Sequence, residues 1–185
     1  SPTPEPEKVL TVCLTEEPQT LYLYGSPSRS MWNVLEAIYD GPIDQTQAGP
    51  VPVILEGVPS LEDGSAEIKS MSVQAGDPVV DADGRYTALA SGLKVYPSGC
   101  RGSECAVTWD GVSPLSMDQY IATYTLKPGI TWSDGSPLRA QDSVFSYRIA
   151  SDPATPVSRL LSDRTMGYEA LDDTHVRWTG VPGYL

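Results

Sequence analysis

Five Asp-Gly pairs, at 40, 63, 83, 110 and 134, divide this 185-residue chain into short arms. An aspartate can bond backbone two residues on, and glycine takes positive φ at no steric cost, so each pair is a point of reversal. The chain also carries 17 Pro and 16 Gly, above the roughly 12% that these two residues share on average. Such punctuation favours many turns joined by short strands over a helical bundle. Apolar residues make up 40% of the sequence, enough for a core in one large or two small domains.

Read in order, residues 1–8 are Pro, Thr, Ser, Glu and Lys and form a linker that cannot pack. Val9-Leu10-Thr11-Val12-Cys13-Leu14 reads as a strand, with Cys13 an inert buried thiol. Tyr24-Gly25-Ser26-Pro27-Ser28-Arg29-Ser30-Met31 spans a loop and a helix start. Met31, Val34, Leu35, Ile38 and Tyr39 then fall on one helical face, with Ser30 as its cap and Gly41-Pro42 as its stop. Residues 68–74 alternate as a strand, and Asp83-Gly84 between apolar arms is a hairpin signal. Leu93-Lys94-Val95 and Ala106-Val107-Thr108-Trp109 flank a cysteine loop. A short helix is predicted over 156–165, and Asp172-Asp173 turns a last hairpin.

The most informative stretch runs from 121 to 150. Ile121, Thr123 and Thr125 alternate with Ala122, Tyr124 and Leu126, as a strand requires. Pro128-Gly129 and Asp134-Gly135 are turn pairs around a short extended run, Ile130 to Trp132. Gln141, Val144, Phe145, Arg148 and Ile149 carry helical spacing. Arg139 precedes this helix and cannot accept a hydrogen bond, so Ser136 or water is expected to cap it.

Leu126-Lys127-Pro128-Gly129-Ile130-Thr131-Trp132-Ser133-Asp134-Gly135-Ser136-Pro137, followed by Ala140-Gln141-Asp142-Ser143-Val144-Phe145-Ser146-Tyr147, closely resembles the signature of the family 5 extracellular solute-binding proteins. These are the peptide, dipeptide and nickel receptors of ABC importers. Arg139 stands where the family usually has threonine, and Tyr22-Leu23 replace its Asp-Pro after Glu17-Pro18. Tyr39-Asp40-Gly41 matches a further family element.

The resemblance implies an α/β fold of α+β-like kind: a mixed, strand-rich sheet with a few helices. Residues 9–185 would be the N-terminal lobe fragment of a periplasmic-binding-protein type II-like receptor, with a β-rich hairpin insertion at about 65–117. It implies capture of peptides or similar small solutes between two lobes, and delivery to ABC permease subunits at the membrane. The ligand-binding residues it implies are Tyr24, Gly25, Ser26, Pro27, Ser28, Arg29, Ser30 and Met31. The place would be the periplasm or the outer face of the cell membrane, with a lipid anchor in the full-length protein, acting as a monomer. A secreted β-rich adhesion or cell-wall module is the alternative.

Other chemistry finds little support. A net charge of −12 argues against nucleic acid as a partner. No Gly-x-Ser-x-Gly elbow or phosphate loop occurs, so no catalytic residue and no cofactor is assigned. Asp81-Ala82-Asp83-Gly84 has the look of a calcium loop, but its glycine is misplaced and no glutamate closes it, so it reads as a turn. The loop between Cys100 and Cys105 can close a small disulfide, which implies an oxidising compartment. Zinc is the competing reading and would have to recruit His175 and Cys13. We take the disulfide and assign no metal.

Overall fold

In the computed structural model, residues 9, 11–25, 28–39 and 41–185 are described. The expected linker over residues 1–8 lies outside them. The chain falls into two compact units, Ser1–Asp40 and Gly41–Leu185.

In the first unit, α1 spans Arg29–Ile38. Met31 and Leu35, one turn apart, are buried, whereas Ile38 and Tyr39 are exposed. The apolar stripe therefore works over the first two turns only. The cap is Ser28, not Ser30: Ser28 Oγ accepts the Met31 N–H at 3.1 Å. Ser30 is instead buried, its hydroxyl 3.0 Å from that of Ser28. Val9 and residues 11–14 form no strand, and Cys13 is exposed rather than buried. An apolar run becomes a strand only where an edge offers it ladder partners.

The second unit is strand-rich with few helices, as the resemblance implied. Its centre is a four-stranded sheet. We number β1 (Ile43–Thr46), β2 (Gly49–Pro52), β3 (Ala66–Val73), β4 (Pro78–Val80), β5 (Tyr86–Ala88), β6 (Lys94–Val95), β7 (Val107–Thr108), β8 (Leu115–Thr125), α2 (Ala140–Ser151), β9 (Thr165–Ala170) and β10 (His175–Gly180). The sheet order is β3-β8-β10-β9, and every ladder in it is antiparallel. The long strand β8 is its spine. Its first part pairs with β3, from Val73↔Leu115 to Ala66↔Ala122. Its last part pairs with β10, from Thr179↔Ile121 to His175↔Thr125.

Three two-stranded hairpins surround the sheet: β1–β2, β4–β5 and β6–β7. At the β4–β5 reversal, Asp81 Oδ1 accepts the N–H groups of Asp83 and Arg85 at 2.9 and 2.8 Å. The calcium-like sequence is thus a turn whose carboxylate is occupied by backbone. Between β3 and β8 a core forms from Val73, Val79, Leu89, Val95, Trp109, Leu115 and Met117. Full burial of side chains of this size contributes about 1.5–3 kcal/mol each. The Trp109 indole N–H donates to the Ser113 carbonyl at 2.9 Å, so the one polar atom of that ring is satisfied.

The segment after α2 differs from the expected helix over 156–165. Only a single 3-10 turn forms, at Ser162–Arg164. Leu160 and Leu161 remain exposed, so the segment lacks the apolar cover that would hold a helix to the sheet.

Candidate functional site

Two segments carry the functional reading, one in each unit. In residues 24–31 the local hydrogen bonds show which groups are committed to structure. Gly25 N–H donates to the Tyr22 carbonyl at 2.8 Å, closing a tight turn. A Cβ on Gly25 would sit 2.7 Å from Thr20 Cγ2 and 3.0 Å from the Tyr22 carbonyl oxygen, so the turn requires glycine. The Met31 N–H is taken by Ser28, and Trp32 N–H donates to the Ser28 carbonyl at 3.1 Å. Ser30 and Met31 point inward. Tyr24, Gly25 and Ser28 are half-buried and Arg29 is exposed. Ser26 and Pro27 lie outside the described residues. The structure therefore brings Tyr24, Gly25 and Arg29 to accessible positions and commits Ser28, Ser30 and Met31 to building the helix start.

Tyr24 meets Tyr22 edge-on at a centroid distance of 5.7 Å. Burial, and secondarily the neighbouring Tyr22, pushes the Tyr24 phenol above its usual range. It is a neutral hydrogen-bonding group at physiological pH. The sequence reading missed Tyr22. Its departure from the family's Asp-Pro marked the position without revealing the aromatic pair.

In the second unit the signature stretch is built as a relay from β8 to α2. Leu126 is buried and its N–H donates to the Thr174 carbonyl at 2.9 Å. Lys127 N–H donates to the Ile54 carbonyl at 2.9 Å, and its Nζ lies 2.5 Å from the Val53 carbonyl oxygen. The lysine is thus spent on fastening the segment after β2. Trp132 N–H donates to the Ser136 carbonyl at 2.8 Å, and Gly135 N–H returns to the Trp132 carbonyl at 2.9 Å. Asp134 Oδ1 accepts both the N–H and the hydroxyl of Ser136, at 2.9 and 2.6 Å.

Ser136 is therefore not the cap of α2. Asp142 fills that role by reaching back from the first turn: its Oδ2 accepts the Arg139 N–H at 2.9 Å. The N–H of Ala140 donates to the Asp173 carbonyl at 2.8 Å. Arg139 turns its guanidinium outward to Asp173, 2.9 Å away. Every polar group of the Trp132-Ser133-Asp134-Gly135 turn that these bonds describe serves local structure.

Against the sheet, α2 uses Val144, which is buried, and the Ser143 hydroxyl, 2.7 Å from that of Tyr168. Tyr147 stacks obliquely on Tyr168 at 4.8 Å. Phe145 stays 62% exposed. The inward face, carried by Ala140, Ser143, Val144 and Tyr147, is therefore one residue out of phase with the helical spacing read at Gln141, Phe145 and Arg148.

Cys100 and Cys105 are joined in a disulfide with Cα atoms 5.7 Å apart. Among the described residues no three His, Cys, Asp or Glu side chains converge as metal ligands. His175 is engaged by Asp172, with Nδ1 2.8 Å from Oδ2. Backbone hydrogen bonding from Thr174, foremost, and the His175 side chain hold the Asp172 carboxyl far below the usual range.

Residues 111–181 match the family model described as bacterial extracellular solute-binding proteins, family 5 Middle. The stretch from Leu126 to Tyr147 lies wholly inside that match, so the resemblance read from the sequence is borne out. The fold is similar to that of an oligopeptide binding protein from Thermus thermophilus, solved in complex with a pentapeptide. That similarity has a TM-score of 0.55 at 15% identity and covers 86% of this chain. The chain spans 20% of the length of that protein. No curated protein sequence matches the chain.

Proposed function

We propose that this chain is part of the substrate-binding component of an ABC importer, one that captures extracellular peptides or similar small solutes and passes them to permease subunits. The observation that carries the reading is the family 5 match over residues 111–181, which contains the whole signature relay from β8 to α2. The fold likeness to an oligopeptide binding protein supports it. In this reading the protein is a receptor and not an enzyme. It works as a monomer in the periplasm or at the outer face of the membrane, with a lipid anchor on the full-length form. In this reading residues 9–185 belong to an N-terminal lobe, and the β-rich region at about 65–117 is an insertion in it.

The ligand contact in this reading is the segment 24–31, with Tyr24, Gly25 and Arg29 facing the solute and Ser28, Ser30 and Met31 supporting them. An extended peptide would pair with backbone there. One wall leaves a peptide largely hydrated, so its ordering cost is poorly offset. Calorimetry with short peptides on this chain and on the complete reading frame tests the proposal. The chain alone is expected to bind at about millimolar or weaker, and the complete protein far more tightly. Arg29→Ala in the complete protein should weaken binding and leave its circular dichroism unchanged. Micromolar binding by the chain alone would overturn the two-walled reading, and no binding by the complete protein would overturn the receptor reading.

A further inference from the structure

We propose that the Cys100–Cys105 disulfide is a redox-sensitive clasp that holds residues 98–101 around the buried carboxylate of Asp118. Asp118 projects from the middle of β8 and its side chain is only 7% exposed. A carboxylate so placed needs donors, because burial without partners favours its neutral form. Among the described residues, all its side-chain partners come from one short segment. The Ser98 hydroxyl donates to Oδ1 at 2.5 Å, the Gly99 N–H donates to Oδ2 at 3.0 Å, and Arg101 Nη1 donates to Oδ2 at 2.5 Å. Ser98 N–H also donates to the Ser116 carbonyl at 2.7 Å, which starts the segment beside β8. Cys100 lies between two of the three donors.

Among the described residues nothing else fixes the far end of this segment as strongly. Arg101 is half-exposed although Asp118 is buried, so water screens the pair in part and the carboxylate restrains the long arginine side chain only at its tip. The covalent ring from Cys100 to Cys105 supplies the missing restraint by limiting the conformations open to Arg101. A cavity of about 310 Å³, lined by Tyr96, Arg101, Asp118 and Gly183 among others, leaves room for the segment to move once released. Cys100 is buried and Cys105 is exposed, so a reductant reaches the Cys105 sulfur first.

With a dithiol reductant, one thiolate attacks Cys105 Sγ and Cys100 leaves as a thiolate, which takes up a proton. The reagent's second thiol then closes its own disulfide and releases Cys105 as a thiol. Two electrons pass from the dithiol to the protein disulfide. Residues 98–101 then lose the restraint that keeps three donors on one carboxylate. The coupling is reciprocal: a cradle held by Asp118 must favour the closed disulfide by the same factor.

The test has two readouts. The oxidised fraction of the protein is measured by alkylation across dithiothreitol redox buffers, for the parent and for Asp118→Asn. Asp118→Asn is expected to lower the equilibrium constant for disulfide closure roughly fivefold or more. Amide exchange at Gly99 is followed in the oxidised and the reduced parent, and reduction should speed it at least about tenfold, the factor equivalent to about 1.4 kcal/mol. If Asp118→Asn does not fold, Ser98→Ala removes one donor without touching the charge and takes its place. An unchanged equilibrium constant in a folded variant, or equal Gly99 protection in both redox states, overturns the proposal.

Discussion

The indole Nε1 of Trp132 lies 3.3 Å from Oδ2 of Asp142, the oxygen that also accepts the Arg139 N–H. One carboxylate thus joins the turn to the helix that follows it. Its charge also sits at the positive end of α2. Asp142→Ala is expected to cost about 0.5–2 kcal/mol, the range for losing an N-terminal cap. Urea unfolding followed by circular dichroism measures it. Trp132→Phe, which keeps the carboxylate, should cost less than Asp142→Ala; the reverse order would show that the indole, not the cap, holds the junction.

Gly183 adopts φ +88, and a Cβ there would run into the Val80 carbonyl oxygen and the Met117 methyl. Its N–H donates to the Asp118 carbonyl at 2.8 Å, while Val80 N–H donates to the Pro182 carbonyl at 2.9 Å. Gly183→Ala should therefore destabilise by about 1–3 kcal/mol from backbone strain alone, and by more with the clash. A denaturation midpoint equal to the parent's would show that this stitch is free to shift.

Leu89 is buried in the core between β3 and β8 and belongs to the same cluster as Trp109. Truncation to alanine leaves a cavity, so Leu89→Ala should cost about 2–5 kcal/mol. Tryptophan fluorescence during urea unfolding reads it. A loss below about half a kilocalorie, the scale of ordinary surface changes, would mean that the hairpins have no core of their own.

Burial alone would raise the Asp118 carboxyl, but hydrogen bonds from Ser98, Gly99 and Arg101, with the guanidinium charge, outweigh it and hold it below its usual value. A carboxyl lowered in the folded state adds stability above its unfolded pKa of about 3.9. That contribution fades as pH falls through the lowered folded value. The stability gap between the parent and Asp118→Asn should be flat from about pH 5 to 7, above the unfolded pKa, and shrink in more acidic solution. Urea midpoints measured from pH 7 down to below the unfolded pKa check it. A gap that widened on acidification would reverse the assignment.

The parts of the fold legible in the sequence are those set by near neighbours. Asp83-Gly84 marks its own reversal, because the turn is closed by Asp81, two to four residues away. Within the signature relay the turn from Trp132 to Ser136 is legible for the same reason, whereas the bonds that tie the relay to Ile54, Thr174 and Asp173 are not. The Asp118 cradle is not, since its donors lie 17 to 20 residues upstream and look like loop residues. Nor is the reach of β8: alternation shows clearly at Ile121 to Thr125, but the strand begins at Leu115, where Asp118 and Gln119 interrupt the apolar pattern while being buried. Residues 9–14 have strand-like composition, and the structure gives the described ones no ladder. At the candidate ligand segment, Ser28 and Ser30 are equivalent as caps on paper. Only the position of the first helical turn decides between them.

The β3–β8 ladder bears on the order of assembly. Its closing pair, Val73↔Leu115, is separated by residues 74–114, which contain both β4–β5 and β6–β7. Bringing such distant partners together costs chain entropy before any ladder bond rewards it. The two hairpins form from near neighbours and shorten the free chain between Val73 and Leu115, so they should precede the ladder. The sheet then zips from Val73↔Leu115 toward Ala66↔Ala122. Mutations in the β4–β5 turn at Gly84 should accordingly slow folding more than they speed unfolding, as expected if the rate-limiting nucleus lies in the hairpins and outside the sheet itself.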